Sequence, residues 1–70
     1  MTYYVIGEAL DGVSVTDIPS EQEARNVAYK LSVEWATKGS PRFVVYGTEK
    51  GKPTVRAVTA FRAGVELERW

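Results

Sequence analysis

Seventy residues without a single Cys or His leave the carboxylates as the obvious acid–base side chains. Glu66 and Glu68 are two apart, a spacing that puts both on one face of an extended strand. A glycosidase needs such a pair to flank a sugar in a cleft. A terminal stretch offers no cleft, so the two read as a solvated strand face. Glu8, Asp11 and Asp17 lack the dense oxygen-ligand spacing of a calcium loop and read as turn and capping residues. Gly47 and Gly51 bracket Thr48-Glu49-Lys50, yet the spacing of a phosphate loop is missing and no helix follows. Ser14, Ser20, Ser32 and Ser40 have no His to activate them, and no Lys sits in an apolar setting that would replace it. The lack of Cys and His also excludes disulfides, thiolate or imidazole zinc sites, His- or Cys-ligated haem and Ser-His-Asp triads. The expectation is a non-enzyme with no metal and no cofactor.

Binding chemistry is better represented. Two segments, Tyr3-Tyr4-Val5-Ile6 and Phe43-Val44-Val45-Tyr46, are bulky on both sides of a pleat. A half-exposed antiparallel strand alternates apolar and polar residues, and neither segment does. One side of each therefore needs a cover: the C-terminal segment with Leu67 and Trp70, a second copy of the chain, or a foreign protein. The candidate partner-binding residues are Tyr3, Tyr4, Val44, Tyr46, Arg56 and Trp70, drawn largely from the types enriched at interface hot spots. The alternative is nucleic acid. Sheet aromatics would stack on bases while Arg42, Lys50, Lys52 and Arg62 contact phosphate. A pI near 6.2 weighs against it. A protein partner or homodimer is thus expected before nucleic acid, with no membrane and no small-molecule substrate.

These side chains need elements to carry them. Thr2–Leu10 reads as a first strand. Asp11-Gly12 suits a type I′ turn, and Val13–Thr16 alternates as the returning strand. Ser20 followed by Glu23 makes a capping box, and Glu21 and Glu23 favour the positive helix start. Ala24, Val27, Ala28, Leu31 and Trp35 recur at three and four residues, which predicts a helix over 21–37. Gly39 and Pro41 stop it. A second hairpin spans 42–61, with Val55, Ala57, Thr59 and Phe61 on one face of its last strand. Ala63-Gly64 breaks the run, and 65–70 forms a short fifth strand or an extended tail. The fold class is α+β: a two-layer ββαββ sandwich with one helix on a four-stranded, mostly antiparallel sheet.

The bulk composition fits one small domain over 1–70. Apolar residues are 44% and charged residues 26%, which suits a globular chain. The net charge of zero hides an asymmetry. Glu8, Asp11, Asp17, Glu21, Glu23 and Glu34 against Arg25, Lys30 and Lys38 leave −3 in residues 1–40. Arg42, Lys50, Lys52, Arg56, Arg62 and Arg69 against Glu49, Glu66 and Glu68 leave +3 in residues 41–70. No apolar run reaches the ~20 residues of a membrane span. The first residues lack a basic signal-peptide start, so a cytoplasmic setting is expected. In layout the chain resembles small bacterial and phage-borne ββαββ families of unknown function. The resemblance rests on Tyr4-Val5-Ile6, Asp11-Gly12, the helix and Phe43-Val44-Val45-Tyr46-Gly47. It carries over no function and assigns no catalytic residue; the expectation of a small regulator, adaptor or inhibitor rests on the size of the domain and its lack of catalytic groups.

The first hairpin gives a direct test. Gly12→Val should destabilise the domain, because a β-branched residue resists the positive φ of a type I′ turn. A denaturant midpoint equal to that of the parent would remove the turn assignment.

Overall fold

A computed structural model describes residues 1–8, 13–49 and 55–70. The elements are β1 (Thr2–Gly7), β2 (Ser14–Ile18), α1 (Glu21–Glu34), β3 (Phe43–Thr48), β4 (Val55–Arg62) and β5 (Val65–Arg69). They form an α+β fold with one helix and an open, antiparallel five-stranded sheet in the order β2-β1-β3-β4-β5. The expected Asp11-Gly12 turn, and Lys50 and Lys52 in the second one, lie outside the described residues. β1 and β3, the double-sided apolar segments, are the sheet's interior neighbours, paired without interruption from Thr2↔Thr48 to Gly7↔Phe43.

Helix α1 begins as the sequence predicts. The Ser20 hydroxyl accepts from the Glu23 N–H at 3.2 Å. Its end is earlier than Thr37. Trp35 takes φ −92°, ψ 3° as the C-cap, and the chain tightens so that Ala36 N–H donates to the Val33 carbonyl. Gly39 at φ 91° then turns the chain toward β3. The apolar stripe faces the sheet as expected. Ala24 and Ala28 are fully buried, while Val27, Leu31 and Trp35 pack on the core from its margin. Small residues in the centre let the helix approach Val5, Phe43, Val45 and Phe61 closely, all of them buried.

The β1–β2, β3–β4 and β4–β5 pairs each carry a register shift, and those in β4 and β5 set which of their side chains face the helix. In β4 the pairing moves from Val45↔Thr59 to Tyr46↔Ala57, so Val58 is the extra residue. It joins the core cluster beneath the helix. The uniform alternation expected for this strand is therefore broken: Thr59 and Phe61 face the helix, but Val55 and Ala57 face away, while Arg56, paired with Gly47, lies on the helix side. In β5 the pairs Ala60↔Glu68 and Phe61↔Glu66 leave Leu67 unpaired. This overturns the expectation that Glu66 and Glu68 share a face, because one inserted residue sends them to opposite sides.

The C-terminal segment is a true fifth strand and does not fold over the sheet. Arg62 and Val65 close the β4–β5 hairpin through Ala63 and Gly64, at φ 49° and φ 79°. Positive φ at both positions is the mark of a type I′ turn. The helix grips this turn: buried Ser32 donates to the Tyr29 carbonyl and accepts from the Gly64 N–H at 3.0 Å.

Ala63 carries the cost of the turn, since a Cβ disfavours the left-handed region. Ala63→Asn, which supplies the preferred Asn-Gly pair, should stabilise the domain by about 0.5–1 kcal/mol. Chemical denaturation of the two proteins measures this; a lower midpoint for the variant would contradict the turn type.

Candidate functional site

The helix covers one side of the sheet, and among the described residues no second layer covers the other. The uncovered face has two halves. One is apolar. Tyr4 pairs directly with Tyr46, and their rings stack at 5.3 Å with an interplanar angle of 21°. Ile6 on the same face is 38% exposed, and Val55, which faces Thr48 from β4, is 52% exposed. Val44 shares this face but is only 2% exposed, flanked by Ile6 and Ala60 in the register. It supports the surface without being available for contact.

The other half of the face is held by charge. Arg42 donates through Nε to Glu8, through Nη2 to the other Glu8 oxygen at 3.0 Å, and through Nη1 to Glu68 at 3.2 Å. One guanidinium thus spans from the end of β1 to β5, above the small side chain of Ala60 that lies between β3 and β5 in the register. A planar fork suits two carboxylates in a way a lysine cannot. The hydrogen bonds from Arg42 hold the Glu8 carboxyl below the ordinary glutamate range, against a smaller desolvation effect. Arg62 borders the same end, with Lys38 and Ser40, around a shallow hollow of about 390 Å³.

The helix side carries a counterpart. Thr59, fully buried, donates to Glu66 and lies within hydrogen-bond distance of the Glu68 carbonyl. Arg25 Nη1 approaches Glu66 Oε2 at 3.0 Å as an ion pair without a hydrogen-bond angle, and the guanidinium lies 5.9 Å from the Phe61 ring centroid. The Thr59 hydroxyl is the largest influence that lowers the Glu66 carboxyl, followed among the favourable ones by the charge of Arg25.

The residues singled out as one partner surface divide between the two faces. Tyr4, Val44 and Tyr46 lie on the helix-free side. Tyr3, Arg56 and Trp70 meet instead on the helix side, in a cleft of about 520 Å³ beside the start of α1. Met1, Glu21, Gly47, Glu49 and Val58 complete its lining. Gly47 gives the Tyr3 ring room to lie across it: a Cβ would stand 3.1 Å from the ring, which would have to give by a few tenths of an ångström. Sequence reasoning missed the cleft because it depends on the β4 bulge and on the last strand joining the sheet. Among the described residues no cluster of acidic side chains could hold a metal ion, and no helix is long and apolar enough to cross a membrane. No family model, curated protein or solved structure matches the chain.

The ion pairs define an acid response. Glu8 and Glu66 have lowered folded-state pKa values, so their stabilisation is complete above the unfolded value of about 4.3 and is lost as pH falls through the folded values. The urea midpoint should therefore drop on acidification through and below pH ~4. Thr59→Val, which removes the hydroxyl at nearly constant volume, should flatten that drop. An identical pH profile for the variant would show that the Thr59–Glu66 bond does not hold the strand.

Proposed function

We propose that this protein is a small non-enzymatic binding module that recognises a protein surface through the apolar half of its helix-free sheet face. The observation that carries the reading is the stacked Tyr4–Tyr46 pair, flanked by exposed Ile6 and Val55, with no covering layer among the described residues. Amphipathic rings on a rigid sheet give a large contact area at low conformational cost, the property that favours Tyr at interfaces. The partner is a second copy of the chain or a foreign protein, in the role of a regulator, adaptor or inhibitor.

The nucleic-acid reading has less support. Each Tyr ring already commits one face to the other, which leaves less surface for bases. Arg42, on the helix-free side, is engaged by two carboxylates. Neutralised cations release few counterions, and that release supplies most non-specific affinity for phosphate backbones.

The test compares the parent with Tyr46→Glu. Sedimentation at micromolar concentration reads self-association, and affinity capture from a cell extract reads foreign partners. The reading expects either a dimer or a defined captured protein, abolished by Tyr46→Glu while the far-ultraviolet circular dichroism is unchanged. Strict monomers that capture the same proteins before and after the substitution would overturn it. Binding to single-stranded RNA at low salt that Tyr46→Glu removes would replace it with the nucleic-acid alternative.

A further inference from the structure

We infer that the cleft beside the helix start is a second recognition site, which takes a basic side chain of an extended peptide. The inference rests on the protein-binding reading for its biological sense, but on different residues. The walls are Tyr3 and Trp70 with Met1 and Val58, and the charged groups are Glu21, Glu49 and Arg56. Its volume of about 520 Å³ lies within the range of small-ligand pockets, roughly 300–1,000 Å³.

The rings indicate the ligand class. Two cation–ring contacts among the described residues are internal: Arg25 lies over Phe61, and Lys38 sits 5.3 Å from the Trp35 ring centroid. Tyr3 and Trp70 have no such partner among the described residues, and Trp70 is 54% exposed. The exposed Trp70 ring, bordered by half-buried Tyr3, attracts an organic cation through its quadrupole. Of the lining side chains Glu21 and Glu49 are acidic and Arg56 is basic. Glu21, exposed at the first helical position, makes no ion pair among the described residues.

Arg56 sets the second half of the preference. It also makes no ion pair among the described residues and lies on the helix side opposite Gly47. A bare polyamine would meet its repulsion. A peptide offers backbone carbonyls that the guanidinium can bond while a Lys or Arg stem lies along Trp70 and Tyr3 and its head reaches Glu21. A neighbouring anionic group would be repelled by Glu21 and Glu49, so acidic peptides are excluded by the same charges that admit basic ones.

The probe is a blocked Gly-Arg-Gly peptide, with blocked Gly-Glu-Gly as control. The readout is the Trp70 indole N–H resonance of the ¹⁵N-labelled protein, assigned by its loss in Trp70→Leu. The expected result is a saturable shift with the Arg peptide and none with the Glu peptide. Glu21→Gln should weaken the binding roughly two- to fivefold. Tyr46→Ser, on the opposite face, should leave the titration unchanged, which separates this site from the sheet-face reading. No saturable shift, equal response to both peptides, or a titration indifferent to Glu21→Gln would overturn the inference, even if Tyr46-dependent association persists.

Discussion

A helix of 14 residues is about 21 Å long, while the molecule extends 38 × 22 × 17 Å. That shortage of cover governs the rest of the structure. The helix can shield one side of the sheet, and only part of that side. Buried Ala24 and Ala28 bring it down onto Val5, Phe43 and Val45, where the strands are most apolar. Beyond its first turn the Tyr3–Val58 end of the same face lies open as the cleft. The opposite face has only its own side chains for protection. Val44 and Ala60 are nevertheless almost inaccessible there, because larger neighbours and the Arg42 ion pairs surround them. A domain this small has little stability to spare, so charge and hydrogen bonding at the sheet margins complement a thin core.

The edges show the same economy. β5 is exposed at every residue, and apolar burial contributes little to holding it. Its attachment comes from the ladder to β4, the Thr59–Glu66 bond, the Arg25 and Arg42 ion pairs, and the Ser32 link from the helix to the hairpin turn. Exposed ion pairs contribute modestly one at a time. Here they converge on two neighbouring carboxylates of one strand and act beside a buried hydroxyl. Exposed Val65 and Leu67 lie on an open edge, where bulging at Leu67 twists the backbone away from regular pairing with another chain.

Much of this was legible in the residues. The Ser20 cap, the stripe from Ala24 to Trp35, and the doubly apolar β1 and β3 follow from periodicity and from the chemistry of helix starts. That one face would lack cover was legible too, because β1 and β3 are apolar on both sides; which face it would be was not. The bulges were not. Val58 and Leu67 each continue a plausible alternation, and only the pairing partners reveal which residue is extra. For that reason the side taken by Arg56 and Trp70 was not legible, whereas Tyr3, next to Tyr4 in one strand, was bound to the side opposite it. The positive φ of Ala63 was equally hidden, since nothing in an Ala side chain announces a left-handed turn.

The bulge at Leu67 has a consequence for how the chain tolerates change. It lets a single short strand send one carboxylate to Arg25 above the sheet and the next to Arg42 below it. Substituting Leu67 alters one exposed side chain, and removing it makes the two carboxylates consecutive in a regular strand, which still sends them to opposite sides. The segment should therefore accept replacement of this residue, and even its loss, more readily than a change in the side to which either carboxylate points. Variation among any relatives of this chain would then include the identity and the presence of a residue between the two carboxylates, with their opposite sides held constant.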